Sequence, residues 1–297
     1  MATSKLSIES KIKMSDGKFI PHIGLGVYEM TDAEAYQAVK WALEAGYRMI
    51  DTAAWYENED PCCRAIADFV KESGVPRAEI FYVTKLQYNE GTLPTRRKIA
   101  ASLEIAKAHG LEYIDLYLVH GPPGGPQMRK ESWEEVVRAH KAGEGLVSIG
   151  VSNFGPRHME EIRTAWGEAG NGKEEWLGAK PVVNQVDVHP FMTRVDVDTY
   201  SKKHDVVLQA WAPLVRALRF DHPVVKKVAE AHGKSPAQVL LRWSVQRGYA
   251  PIPKSVSQKR ILSNIDIFDF EITESEMAEL YTLNENLLTD WDVIDCP

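Results

Sequence analysis

A chain of 297 residues, 44% hydrophobic and carrying a formal charge of −7, has the make-up of a globular protein with room for two ordinary domains or one large barrel. The acidity argues against nucleic acid or an anionic membrane as main partner, and no apolar run nears the ~18 residues of a membrane span. The first residues lack the apolar core of a signal peptide, and three cysteines without metal-like spacing fit a reducing compartment; a cytoplasmic, metal-free protein is the expectation.

The elements begin with a predicted hairpin, Lys11–Lys13 and Phe19–Pro21 around a turn at Asp16-Gly17. His22–Leu25 reads as the first of eight further strands. Thr31 and Glu34 form a capping box, and Ala35, Ala38, Val39 and Ala42 give the helix behind them one apolar face. Strand Tyr47–Ile50, a helix from Pro61 to Glu72, strand Ile80–Thr84 and helix Pro94–His109 follow. Strand Tyr113–Val119 leads through the Gly- and Pro-rich loop Gly121–Lys130 to a helix around Trp133–His140. Strand Leu146–Val151, helix Arg157–Trp166, strand Pro181–Val186, helix Asp196–Lys203 and strand Val206–Trp211 continue the rhythm. Helices Pro223–Ala231 and Ser235–Arg247 precede the last strand, Tyr249–Ile252, and helical segments close the chain at Gln258–Asn264 and Thr273–Leu283.

Eight strands alternating with helices over about 250 residues predict an α/β fold, a (β/α)8 TIM barrel with an N-terminal β-hairpin, as one domain over residues 1–297. The rival, a doubly wound sheet, expects G-x-G-x-x-G after its first strand, whereas His22–Tyr28 reads HIGLGVY. Barrel active sites gather at the C-terminal strand ends. Asp51, Lys85, His120, Asn153, Gln185, Trp211 and Lys254 all fall there, with Tyr56 on the loop after Asp51.

Asp51, Tyr56, Lys85 and His120 suit proton delivery to a carbonyl oxygen. No side chain donates hydride, so reduction needs a cofactor. An ammonium about 4 Å from a phenol, at an effective dielectric of ~20, is worth roughly 4 kcal/mol, or about three pKa units. Lys85 is therefore expected to draw Tyr56 down from ~10 toward neutrality, against desolvation, with Asp51 keeping Lys85 charged and His120 orienting the substrate oxygen. Lys85 is also the residue for a Schiff-base lyase, although Asp51 beside it favours the ammonium.

GYRMIDTA with Tyr56 and Asn58-Glu59, VTK, LVHGP, IGVSNF, VNQVDVHP and IPKSVSQKR together resemble the aldo-keto reductases, from Ile23 to Thr273, and Trp211 in QAWAPL is similar to the small diketo-gluconate reductase type. The resemblance implies the barrel, NADPH/NADP as cofactor, a small carbonyl substrate, and Asp51, Tyr56, Lys85 and His120 as catalytic residues with Tyr56 as acid. It implies a nicotinamide site of Ser152, Asn153, Gln185 and Trp211. It further implies Leu214 and Arg216 near the pyrophosphate, and Lys254, Ser255, Val256, Ser257, Arg260 and Asn264 around the adenosine phosphates. Some relatives instead bind the cofactor as regulatory redox modules, and both monomers and dimers occur. The chain departs from the family at Gly121, where a tryptophan is usual, and at Val27-Tyr28, Ser263 and the long Gly167–Ala179 stretch, which reads as a surface loop. Tyr28, Trp55, Tyr88 and Trp291 are the expected substrate walls.

Overall fold

Alternation along short parallel strands decides which side chains meet at the centre of this molecule. The structure is a computed structural model that describes residues 6–164 and 175–297. Strands β1 (Lys11–Lys13) and β2 (Phe19–Pro21) pair antiparallel, as expected of the hairpin. Eight parallel strands follow in spatial order equal to chain order: β3 (Leu25–Gly26), β4 (Met49–Asp51), β5 (Phe81–Leu86), β6 (Ile114–Val119), β7 (Leu146–Ser152), β8 (Val183–Asp187), β9 (Val207–Trp211) and β10 (Ala250–Pro251).

The two end strands meet. Gly24 and Gly26 donate their backbone N–H groups to Pro251 and Pro253 carbonyls at 3.0 and 3.2 Å, and Gly26 bridges Lys254 in parallel. The sheet therefore closes into the (β/α)8 barrel. A Cβ on Gly26 would stand 2.9 Å from the Ile252 carbonyl oxygen, so glycine is what permits this approach. β10 is shorter than the predicted Tyr249–Ile252 because Pro251 and Pro253 have no N–H to extend the ladder.

Helices α1 (Asp32–Glu44), α2 (Glu59–Ser73), α3 (Thr92–Ala108), α4 (Gly125–Lys141), α5 (Pro156–Arg163), α6 (Val195–Lys203), α7 (Pro223–His232) and α8 (Pro236–Gln246) fill the crossovers, with α9 (Gln258–Ile265) and α10 (Glu274–Tyr281) after β10. The expected capping box at Thr31 is present, and Ser235 forms a second with Gln238. One expectation fails. Most of Gly121–Lys130 is helix rather than loop, because Pro126 fits the first turn of α4. Of the supposed surface loop Gly167–Ala179, the part to Glu174 lies outside the described residues, while Trp176 is buried and its carbonyl accepts from Trp133 Nε1 at 3.1 Å.

Met49, Phe81, Val83, Leu116, Leu118, Val183, Val207 and Ala250 share the barrel interior with Met14 and Ile20, so the hairpin stoppers the N-terminal end. Burying each such side chain contributes about 1.5–3 kcal/mol. Their neighbours Ile50, Tyr82, Tyr117, Ile149 and Val151 point outward into the helix layer. Period-two alternation upward from the interior set brings Asp51, Lys85, His120, Ser152, Gln185 and Trp211 to the C-terminal mouth.

Candidate active site

Lys85 is fully buried, and its ammonium has three oxygen neighbours. Nζ donates to Asp51 Oδ1 at 2.6 Å and to the Thr52 carbonyl at 2.7 Å, and lies 3.4 Å from Tyr56 Oη. Gln185 Nε2 holds the other Asp51 oxygen at 2.7 Å. Tyr56 ends a 3-10 turn, Ala54–Tyr56, that local contacts fix. Thr52 Oγ1 donates to Asn58 Oδ1, and Asn58 Nδ2 reaches the Val27 and Met30 carbonyls at 3.0 and 3.1 Å. Glu59 accepts from Thr84 Oγ1 at 2.6 Å, beside Lys85. The Asn58-Glu59 pair thus ties the tyrosine turn to the first strand and to β5. His120 Nε2 lies 3.3 Å from Tyr56 Oη.

Burial dominates the titration of this cluster. It draws both Lys85 and Asp51 toward their neutral forms, and their mutual contact opposes it. His120 is pushed well below the ordinary histidine value, by burial and then by the Lys85 charge, and is a neutral imidazole. The Tyr56 phenol moves up, well above the ordinary tyrosine value, by burial and then by the Asp51 carboxylate. The expected drop toward neutrality is wrong for this site. Burial removes the water that would solvate a phenolate, and the Asp51 carboxylate, held 2.6 Å from Lys85, adds to the rise.

Above these groups is a pocket of about 680 Å³, lined by Asp51, Tyr56, His120, Ser152, Asn153, Gln185, Trp211, Tyr28, Trp55, Trp291, Leu214, Arg216 and Lys254 among others. Asn153 adopts a left-handed φ of 59°, which asparagine tolerates better than most residues. From there its Oδ1 accepts from Trp211 Nε1 at 2.8 Å, and its Nδ2 donates to the His120 carbonyl at 3.1 Å. Ser152 donates to the Gln185 carbonyl at 2.8 Å. The indole of Trp211 is therefore fixed as one wall, with amide and hydroxyl groups beside it.

Ser255, Val256, Ser257, Arg260 and Asn264 do not line this pocket; they continue from Lys254 around the start of α9. Arg260 Nε reaches Ser255 Oγ at 3.2 Å, and no side chain caps the α9 N-terminus. Among the described residues, neither Lys254 nor Arg260 has a carboxylate within ion-pair distance. Tyr88 also stays outside the pocket and packs behind Trp55, ring centroids 5.4 Å apart. Arg216, expected near the pyrophosphate, is exposed; it pairs with Asp290 and lies 3.8 Å from Glu29. Sequence reasoning passed over Glu29, Asn89 and Asp290. Asn89 Nδ2 donates to the Gly121 and Pro123 carbonyls at 2.7 and 2.8 Å, which positions the backbone after His120. Its place four residues after Lys85 is the one signal the sequence offered.

The fold and site have counterparts among known proteins. The model of the Aldo/keto reductase family matches residues 22–285. An aldo-keto reductase of Mycobacterium sp. (strain MCS) is 42% identical over 275 residues, 92% of this chain and 90% of that protein. The glyoxal reductase of Bacillus subtilis (strain 168) is 38% identical over 282 residues, 94% of this chain and 95% of that one. The solved Bombyx mori aldo-keto reductase, in complex with NADP, superposes with a TM-score of 0.83 at 32% identity, covering 96% of each chain. The Brucella melitensis enzyme gives 0.83 at 35%, covering 95% of this chain and 100% of its own. The family match over residues 22–285, with relatives 42% and 38% identical over more than nine-tenths of the chain, makes this chain a member of the aldo/keto reductase family and an oxidoreductase.

Proposed function

We propose that the protein reduces small aldehydes or ketones to alcohols with NADPH, Tyr56 supplying the proton. The observation that carries this reading is Tyr56 Oη, 3.4 Å from Lys85 Nζ and 3.3 Å from His120 Nε2, in a residue that lines the pocket. The nicotinamide supplies the hydride when bound. A carbonyl oxygen seated between Tyr56 and His120 receives the phenolic proton as negative charge develops on it. His120, neutral, hydrogen-bonds that oxygen and sets its direction. Lys85 stabilises the phenol as its proton leaves, and Asp51 with Gln185 holds Lys85 in place. The raised phenol pKa favours the acid role at ordinary pH. The contact at 2.6 Å that holds the ammonium against Asp51 counts against Lys85 as a Schiff-base nucleophile.

The residues fit the cofactor. Trp211 offers a ring face anchored by Asn153, and Ser152, Asn153 and Gln185 offer donors and acceptors for a carboxamide. Lys254, Arg260, the Ser255–Ser257 hydroxyls and the uncapped α9 N-terminus suit a 2′-phosphate, with Val256 and Asn264 beside the adenosine and Leu214 and Arg216 nearer the pyrophosphate. The Bombyx mori relative with NADP supports the same choice.

The test is a panel of aldehydes and ketones with purified protein, read as loss of reduced-nicotinamide absorbance, beside Tyr56→Phe. Turnover should drop about 10²–10⁴-fold in the variant while NADPH still binds. Full activity in the variant would end the assignment. Equal affinity for NADPH and NADH would remove the phosphate seat, and tight NADPH binding without any turnover would favour a regulatory module.

A further inference from the structure

Gln209 is a fully buried amide inside the barrel, one level below the pocket. Val207, Gln209 and Trp211 alternate inward along β9, and the strand register sets Gln209 beside Gln185 of β8. Val207 belongs to the apolar interior with Val183 and Met49, whereas Trp211 lines the pocket. Gln209 therefore stands between an apolar plug and the site, and is not itself among the pocket residues.

The donor and acceptor inventory fixes which way each amide points. Asp51, the ionic partner of Lys85, only accepts, so Gln185 turns Nε2 to Asp51 Oδ2 at 2.7 Å. The same Nε2 gives its second N–H to Gln209 Oε1 at 2.7 Å. Gln209 is then left with its own Nε2 against Met49 Sδ at 3.4 Å, and a thioether is a weak acceptor. Leucine or methionine at position 209 would fill the space without burying a poorly bonded N–H. Stability alone does not account for this amide; its carbonyl oxygen toward Gln185 does. With both N–H groups of Gln185 taken, Oε1 is the one group left over. Gln185 lines the pocket, and among the described residues no donor reaches that oxygen.

Building on the NADPH reading, we infer that Gln209 is a positioning residue: it locks the Gln185 amide so that Oε1 is a fixed acceptor for the carboxamide N–H of the cofactor. The lock runs through Lys85, Asp51, Gln185 and Gln209, on β5, β4, β8 and β9. The ion pair beside Tyr56 and the nicotinamide seat thus share one hydrogen-bonded chain. Gln209 touches neither substrate nor cofactor and acts through Gln185. Without it, the spare N–H of Gln185 loses its acceptor, the amide turns, and Oε1 no longer holds one direction.

The readout is the ratio of dissociation constants for the acetylpyridine analogue of NADP and for NADP itself, measured by quenching of tryptophan fluorescence. The analogue keeps the carbonyl and lacks the carboxamide N–H. Wild type should favour NADP about tenfold. Gln209→Leu, or Gln209→Met should the leucine variant not fold, should bring the two within about twofold. Gln209→Glu keeps an acceptor for Gln185 and should hold the wild-type ratio. Damage to the barrel alone would weaken both ligands alike and leave the ratio in place. No preference in wild type, a ratio unmoved in Gln209→Leu, or one lost equally in Gln209→Glu overturns the inference. Unfolding midpoints of the cofactor-free protein read the lock itself. Gln209→Leu should lower the midpoint by about 2–4 °C in wild type and raise it in Gln185→Leu, where the Gln209 carbonyl already lacks its partner. Shifts that add overturn the lock. A wild type that binds neither dinucleotide ends the NADPH reading, and the midpoints still decide whether Gln209 fixes Gln185.

Discussion

The floor of the pocket and its walls are built by different means. The floor is Asp51, Lys85, His120 and Gln185, all buried and at or just beyond strand ends, so the barrel ladder sets their spacing. The walls are Tyr28, Trp55 and Trp291, with Tyr88 behind, all on connecting segments and held by ring contacts and ion pairs; Tyr28, Trp55 and Tyr88 are each at least 40% exposed. Beside them, Ala212, Val215, Arg216 and Ala217 all take left-handed φ, which costs each non-glycine residue about 1–3 kcal/mol. On the proposed function, the reacting groups belong to the buried strand ends and the surroundings of the substrate to the exposed connecting segments.

The largest way to break this comparison is through Lys85. Lys85→Met leaves the Asp51 carboxylate buried with only Gln185 as partner. Removing one member of a buried pair costs about 3–5 kcal/mol, so the unfolding midpoint should fall together with turnover. If the floor is as rigid as its burial implies, both losses appear with every substrate alike. A variant that keeps stability and changes only the substrate preference would put Lys85 with the walls.

Acidity offers the second test. His120 holds a depressed pKa in the fold, so below about pH 6.5 the unfolded chain takes a proton that the folded site refuses. Its contribution to stability is therefore lost as pH falls from about 6.5, at a slope of up to ~1.4 kcal/mol per pH unit, and His120→Asn should flatten that limb. On the alkaline side the sign reverses. Tyr56 keeps its proton beyond ~10, so kcat/KM for reduction should stay level from about pH 7 to 9. An ionisation near neutrality that disappears in Tyr56→Phe would restore the Lys85-lowered phenol.

The same division decides what the sequence made legible. Eight apolar runs with helices between them show the barrel, and Asp51, Lys85 and His120 stand out because each closes or follows such a run. Alternation then places them on one rim without knowledge of any side-chain contact. The phenol's direction of titration was missed because burial sets it, with the Asp51 carboxylate second, and spacing along the chain carries neither. Tyr88 was assigned to the wall, yet it buttresses Trp55. Trp291 was expected among the walls, but its place against Gly121 was not, because the two positions are far apart in sequence and no periodicity links them.

Asn89 supplies the smallest and most discriminating effect, because it joins floor to wall. Its amide holds the Gly121 and Pro123 carbonyls, and a Cβ on Gly124 would meet the Asn89 carbonyl oxygen at 2.7 Å. The backbone between His120 and α4 is thus fixed from outside the barrel ladder. Asn89→Ala leaves two carbonyls without that partner, a loss of about 1–3 kcal/mol. Because Gly121 packs so closely on Trp291 that a Cβ would stand 2.7 Å from its ring, the shift should reach the wall before it reaches the floor. KM for an aromatic aldehyde should rise about fivefold, an effect of roughly 1 kcal/mol, with kcat nearly intact. A fall in kcat at constant KM would mean that Asn89 acts on His120 itself, and the boundary between floor and wall would then move outward to include it.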